Sequence, residues 1–244
     1  MRVLLLAGAG EARHIALALW REPRLSVTVS LARAGRRPQS YAWPVRIGGW
    51  GGEDAFREWV ASEGFVGIID ATHPYATAMA ARCARVAADL GIDHIRFLRP
   101  SWVPQPRDRW IFLNGEDEAA DHIPPEATVF LGTGRRGLEH FRNLDGRRVF
   151  CRVAYWPVGD FPLGDGDFFF DPGPYTVPAE RRLFTRLGVD WLIARNSGGA
   201  DSWPKIEAAR ELGMPVAMVR RPPQPEVPRV TTVAEALAWV RRRV

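Results

Sequence analysis

Three observations predict that this chain is an α/β protein made of two Rossmann-like parallel-sheet domains related by a weak internal repeat. Short apolar runs alternate with helical patterns of about 10–15 residues, the order of a parallel sheet joined by crossover helices. The chain also resembles itself. "LLLAGAGEARHIALAL" from Leu4 and "VFLGTGRRGLEHFRNL" from Val129 both read strand, Gly-x-Gly, helix, and "AADLGIDHIRFLRP" and "ARELGMPVAMVRRP" recur at nearly the same separation. Finally, the Pro-rich "RPSWVPQPRDR" lies between the copies and reads as a linker. The expected domains are 1–104 and 105–244; a single larger sheet is the alternative.

In chain order, the apolar run at 2–7 is the first strand, and Gly8 and Gly10 turn it into a helix at 11–21. Strands follow at 26–31 and 44–47, a helix at 53–63 and a fourth strand at 66–70. The helix at 75–90, "YATAMAARCARVAADL", is Ala-rich and can pack close to a sheet. Strand 94–98 ends the first copy. The second has strands at 109–113, 127–132, 147–153, 190–195 and 215–220, with helices at 116–121, 135–142, 178–187, 203–212 and 232–242. The irregular "PVGDFPLGDGDFFFDPGPYTVP", 157–178, reads as a lid whose aromatics cover a large flat ligand. The alternative is a surface loop with Phe168 to Phe170 tucked into the core.

Composition narrows the function. With 244 residues, 46% hydrophobic and 25% charged, the chain is an ordinary globular protein with a real core. Two cysteines, Cys83 and Cys151, give neither a disulfide framework nor a metal motif, so a reducing cytosol is expected. The five-residue apolar run at the N-terminus is too short for a signal peptide, and no run approaches a membrane span. Net charge is +5 and the pI about 9.8, the excess being mostly arginine. Those arginines cluster beside Gly, Pro or Thr at the ends of apolar segments, as in "LARAGRR", "FLRP", "GTGRR", "ARNSGG" and "VRRP". Loops at strand ends are where α/β proteins build sites, and arginine grips carboxylates and phosphates bidentately. A small polyanionic ligand is expected rather than a nucleic acid, with solvated surface arginine as the plainer reading.

Each motif has a chemical reading and a structural one. "GAGEAR", Gly8 to Arg13, follows a strand and opens a helix, as a pyrophosphate site does. Arg13 stands in place of the third glycine, however, and Glu11 is an anion where a phosphate disfavours one; a plain tight turn is the alternative. The second strand ends in "SLARAGRR" with no acid, and Arg33, Arg36 and Arg37 favour a 2′-phosphate, hence NADP over NAD. "IIDATHPYA" places Asp70, Thr72, His73 and Tyr75 past the fourth strand, either toward a ligand or with Asp70 or Thr72 capping the next helix. His73 is the one histidine placed for proton transfer, and the other four have no metal-ligand spacing. In "LGTGRRGL", Arg135 and Arg136 occupy a helix's expected first turn, which is unfavourable unless an anion is recruited. "ARNSGG" supplies Arg195, Asn196, Ser197 and Gly198 at a strand end, and Lys205 follows one turn into the next helix.

Together, "GAGEAR", "DATHPYA", "RPSW", "GTGRRGL", "RNSGG...KIEAARELGMPV" and "VRRP", in order from end to end, resemble the precorrin-6A reductase family of cobalamin biosynthesis. The resemblance implies a cytoplasmic enzyme that uses NADPH to reduce one macrocycle double bond of precorrin-6A, giving precorrin-6B (precorrin-6Y). Where family members often carry Gly-Gly-Thr-Gly, this chain has Ala7-Gly8-Ala9-Gly10, and Arg195 stands where they often have lysine. Both exchanges preserve the physical role. NADPH is then expected at Gly8, Ala9, Gly10, Glu11, Ala12, Arg33, Asp70, Ala71, Thr72 and His73. Substrate carboxylates are expected at Thr133, Gly134, Arg135, Arg136, Arg195, Asn196, Ser197, Gly198 and Lys205, with Arg13 and Arg99 reaching from the first half. His73 and Tyr75 are the candidate proton donors, beside solvent or the ring's own protonation state. The partner is a polycarboxylate tetrapyrrole, with no metal, nucleic acid or membrane expected and no oligomeric state assigned. Rival readings are a non-catalytic nucleotide- or tetrapyrrole-binding protein, a nucleic-acid binder suggested by pI alone, and transfer chemistry such as methylation on the same fold.

Overall fold

The computed structural model describes residues 1–32, 41–155 and 159–243, so Arg33, Arg36 and Arg37 lie outside the described residues. The chain forms two compact units, one of Met1–Pro100 with Pro222–Val244 and one of Ser101–Arg221. Each carries a six-stranded parallel sheet.

In the first unit the chain runs β1 (Arg2–Ala7), α1 (Ala12–Leu19), β2 (Ser26–Leu31), β3 (Val45–Ile47), α2 (Glu53–Ser62), β4 (Gly67–Ala71), α3 (Thr77–Leu90) and β5 (Asp93–Phe97). Strand β1 is buried on both sides beyond its first residue, which is why it reads as an unbroken apolar run. Val3, Leu5 and Ala7 pack with α1 residues Ala12, Ile15 and Leu19. Leu4 and Leu6 point the other way, toward Phe56 and Val60 of α2 and Cys83 and Val86 of α3. The small residues Ala80, Cys83 and Ala87 are the buried stripe of α3, as its alanine content implies. Leu5 is in register with Val29 on one side and Ile69 on the other.

The second unit repeats the plan with β6 (Trp110–Leu113), α4 (Ala119–His122), β7 (Thr128–Leu131), β8 (Arg148–Val153), β9 (Gly166–Phe170), α5 (Val177–Leu187), β10 (Trp191–Arg195), α6 (Pro204–Glu211) and β11 (Val216–Val219). The chain then ends in β12 (Arg229–Val230) and α7 (Val233–Arg241), both in the first unit. Sheet orders are β12-β5-β4-β1-β2-β3 and β6-β11-β10-β7-β8-β9. Both are doubly wound, and their strand order reverses at β1/β4 and at β7/β10.

The expected extent of the second domain, 105–244, is therefore corrected at its C-terminal end. Strand β12 pairs in parallel with β5, Arg229 opposite Arg96. Helix α7 buries Ala236, Trp239 and Val240 in the same core cluster as α1. Trp239 lies over Gly67, where an added Cβ would come within 3.1 Å of its ring. The sixth place of the second sheet is taken by β6, the first strand after the linker. The first sheet is thus completed by a strand that sequence order alone assigns to the second copy.

Three further expectations change. Residues 166–170, read as lid, form the edge strand β9, hydrogen-bonded along β8. Phe169 packs into the core cluster beside Phe130, while Phe168 meets Phe161 edge-on at 5.0 Å. The expected helix at 135–142 is a 3-10 helix over Leu138–Leu144, preceded by Gly134 and Gly137 in left-handed conformation. Arg135 and Arg136 consequently occupy a turn, not a helical first turn. The expected helix at 116–121 begins as a 3-10 turn, Glu116–Glu118, before α4.

One partly buried histidine carries a pH dependence. His94 Nε2 on β5 lies 3.6 Å from Cys83 Sγ. Burial holds the His94 pKa below its usual 6.5, with Asp70 pulling it up and Arg96 pushing it down. Burial likewise raises the Cys83 thiol. Below about pH 6.5 the unfolded chain binds a proton at this position that the folded chain resists, so stability falls with pH. Denaturation midpoints are expected to drop between about pH 7.5 and 5.5, and His94→Asn to flatten part of that drop. An identical pH profile in the variant assigns the acid sensitivity elsewhere.

Candidate functional site

The carboxyl ends of β1 and β4, at the first sheet's reversal point, bring "GAGEAR" and "DATHPYA" together. The Ala9 amide donates to the Ala71 carbonyl at 2.9 Å, closing the turn onto β4. Gly8 approaches the neighbouring loop so closely that a Cβ would lie 3.0 Å from His73 N and 3.1 Å from Thr72 Cα. Both are backbone atoms with little freedom to yield, which accounts for the glycine. Helix α1 then starts with no side-chain cap and no acid in its first turn. A helix N-terminus presents amide donors and the positive end of its dipole, so this end suits an anion. Gly8, Gly10 and Arg13 are exposed beside it, and Ala9 and Ala12 are buried beneath.

The anion at Glu11 that the sequence reading found out of place has a partner. The guanidinium Nη1 of Arg99 contacts Glu11 Oε2, their side chains being 9% and 23% exposed. Arg99, expected to reach the substrate, is thus placed against the Gly-rich turn of its own unit. Arg13 hydrogen-bonds the Tyr41 hydroxyl, whose pKa burial raises while Arg13 opposes the rise.

Asp70 is wholly buried. One oxygen accepts from the Thr72 amide at 2.9 Å and the other meets Arg96 Nη1, which also donates to Thr72 Oγ1 at 3.2 Å. The carboxylate therefore holds the loop from below, and α3 begins later, at Thr77. Within that loop the Tyr75 amide donates to His73 Nδ1 at 3.3 Å, and the two rings lie 5.7 Å apart. A neutral imidazole that accepts at Nδ1 carries its hydrogen on Nε2.

In the second unit the reversal point β7/β10 gathers "GTGRRG" and "ARNSGG". The Gly132 amide donates to the Ile193 carbonyl at 2.9 Å, much as Ala9 does to Ala71. Arg195 donates to Glu116 Oε1 from Nε at 2.8 Å and from Nη2 at 2.6 Å. It also donates to the carbonyls of Thr133 at 3.3 Å and Arg136 at 3.0 Å, so it braces the Gly-rich turn. Asn196 exchanges two hydrogen bonds with the Trp102 backbone, at 2.7 and 3.0 Å. Arg221 donates to the carbonyls of Asn196 and Ser197, and Gly198 takes φ +72 beside them. Lys205 lays its stem against Gly132, donates to the Ser202 carbonyl at 3.0 Å and faces the Trp102 ring. Arg135 and Arg136 are exposed, Arg135 sitting 5.9 Å over the Phe168 ring. Thr133 Oγ1 is buried with no hydrogen-bond partner among the described residues.

Among the described residues, those that the sequence predicts thus fall into two groups, one in each unit, each around a sheet-reversal point. Glu116, the partner of Arg195, was not among them; an acid in a short "NGEDE" turn carries no motif that marks it. The cysteines are poor nucleophiles, since burial pushes the Cys151 thiol up to about 12. Among the described residues no three His, Cys, Asp or Glu side chains gather as a metal site, and no helix is long and apolar enough to cross a membrane.

Comparison with known proteins gives a consistent result. Residues 2–241 match the family model described as precorrin-6x reductase CbiJ/CobK. The chain is 37% identical to a precorrin-6A reductase from Rhodococcus erythropolis over 98% of this chain and 97% of that one. It is 36% identical to a precorrin-6A reductase from Mycobacterium tuberculosis (strain ATCC 25618 / H37Rv), over 98% and 97%. The solved structure of a CobK precorrin-6A reductase superposes with a TM-score of 0.92 at 32% identity, covering 99% of this chain and 96% of that one.

Proposed function

The chain belongs to the CbiJ/CobK family of precorrin-6x reductases, and we propose that it takes a hydride from NADPH to convert precorrin-6A into precorrin-6B. Reduction of precorrin-6A in cobalamin biosynthesis is the activity of this family, so the chain is an oxidoreductase acting on a CH–CH group. A Rossmann-like reductase calls for a nucleotide cofactor; the choice of NADPH and the residue roles are our reading.

The observation that carries the cofactor assignment is the Gly8 turn. It presses against the Thr72–His73 backbone at a sheet-reversal point and leads into the uncapped start of α1. These residues fit a dinucleotide, with the pyrophosphate on the amides that open α1. "SLARAGRR" after β2, three arginines and no acid, favours the 2′-phosphate. Bound NADPH supplies the hydride. The residues of this chain orient its nucleotide, and His73 and Tyr75 are the candidate proton donors, beside solvent and the ring's own protonation state.

In the second unit we assign the exposed Arg135 and Arg136, together with the Thr133 hydroxyl and the Gly134 backbone, to direct contact with macrocycle carboxylates. Arg195, Asn196, Ser197, Gly198 and Lys205 shape that surface through the bonds described above. The polycarboxylate ring matches the cationic turns, and the apolar Phe168 and Phe161 beside Arg135 suit its flat body.

Loss of NADPH absorbance with purified protein and precorrin-6A under anaerobic conditions, with NADH in parallel, tests this reading. NADPH is expected to be consumed much faster than NADH. Equal rates overturn the 2′-phosphate argument, and macrocycle binding without oxidation of either cofactor favours a binding protein.

Glu11 and Arg99 make a second test. Arg99→Met leaves the Glu11 carboxylate uncompensated beside the pyrophosphate. The KM for NADPH is expected to rise about tenfold, the equivalent of ~1.4 kcal/mol, and Glu11→Gln in the same background to reverse most of it. If the second substitution restores nothing, Arg99 acts in some way other than neutralising Glu11.

A further inference from the structure

We propose that Gln224 is a positioning residue for the nucleotide site, tying the Thr72–Tyr75 loop to the returning C-terminal segment through the buried Arg96. The inference rests on the placement of NADPH at the Gly8 turn.

Every polar group of the Gln224 side chain is used. Its Oε1 accepts from Arg96 Nε at 3.1 Å and Nη2 at 2.8 Å, and its Nε2 donates to the carbonyls of Pro74 at 2.9 Å and Pro222 at 2.7 Å. Arg96 is 0% exposed, and its remaining head nitrogen serves Asp70 and Thr72. One guanidinium therefore joins the end of β4, the loop after it and Gln224. The Pro74 carbonyl lies between His73 and Tyr75, so the bond from Gln224 fixes the loop at its functional stretch.

The surrounding chain is built to hold Gln224 there. It stands between Pro223 and Pro225, whose fixed φ angles restrict the backbone before folding. Downstream, the Arg96 amide donates to the Pro228 carbonyl and the Leu98 amide to the Val230 carbonyl, both at 2.9 Å. The segment is thereby anchored along β5, from the same residue that its glutamine meets. The loop it steadies is the one whose backbone Gly8 touches, so a shift of Pro74 moves the wall of the nucleotide turn.

A positioning role and a merely structural one are separated by comparing Gln224→Ala with Gln224→Glu. The glutamate retains an acceptor for Arg96 but has no donor for the Pro74 carbonyl. NADPH affinity is read by fluorescence titration below both melting transitions, beside KM for NADPH, kcat and melting temperature. Both variants are expected to raise the KM and Kd for NADPH about tenfold with kcat at saturation within about twofold, although Gln224→Glu melts above Gln224→Ala. If affinity instead follows stability, so that Gln224→Glu binds like the wild type, Gln224 is only a structural tie to Arg96 and the proposal fails. Gly8→Val, measured alongside, reports on the underlying placement. Unchanged NADPH affinity in Gly8→Val removes the nucleotide from this turn. Weakened affinity there with normal affinity in both Gln224 variants overturns the role of Gln224 alone.

Discussion

Gly8→Val is expected to lower kcat/KM for NADPH by about 100-fold, the cost of displacing a reacting group by roughly 1 Å. The valine Cβ would stand 3.0 Å from His73 N and 3.1 Å from Thr72 Cα, and its methyl groups would reach further into the loop. Neither backbone atom can swing away as a flexible side chain would, because Asp70, Arg96 and Gln224 hold the loop beneath. The loop or the turn must move, and on the proposed placement either motion misplaces the nucleotide. Gly164→Ala is the matching control, since an added Cβ there meets nothing nearer than Asp145 Oδ1 at 4.0 Å. Steady-state kinetics on the two variants decide the matter; a Gly8→Val enzyme with normal kcat/KM would falsify the close-approach argument.

Asp70→Ala is expected to destabilise the folded state by about 3–5 kcal/mol, seen as a lower denaturant midpoint. The substitution leaves the Arg96 guanidinium, which has no solvent exposure, without its carboxylate, and removes the acceptor of the Thr72 amide. Stranding one member of a buried pair costs far more than removing both. Asp70→Ala with Arg96→Met should therefore recover much of the loss. A single-variant loss below about 1 kcal/mol would show that water reaches the guanidinium and that the network is not a sealed one.

Much of the fold was legible because both sheets are parallel and covered on two faces. Their central strands must be apolar runs, and the runs at 2–7, 66–70, 127–132 and 190–195 stand out from the helical patterns between them. The missed strands lie at sheet edges. Strand β12 has two residues, too few for any period, and β9 sits among glycine, proline and aspartate. The C-terminal segment was assigned to the second domain because sequence order was its only guide. Its pairing with β5 depends on Arg229 meeting Arg96 across the chain, a contact no local pattern encodes.

For the candidate site, the sequence alone marked the turns that stand at the two sheet-reversal points. Gly-x-Gly after a strand, a histidine past β4 and arginines at strand ends are local consequences of strand–turn–helix geometry, so they are written within a few consecutive residues. Tertiary structure decided what each charge does there. Arg195 and Arg99 looked alike as cations at strand ends, yet each faces a carboxylate, Glu116 and Glu11, distant in the chain. Asp70 looked like a ligand or a helix cap and is the buried partner of Arg96. Gln224 carried no signal, since its role comes from reaching Arg96 and Pro74 in space. Backbone turns are specified by neighbours in sequence. The work of a charged or amide side chain is set by whichever group the fold brings within about 3 Å, and that is known only once the sheets are assembled.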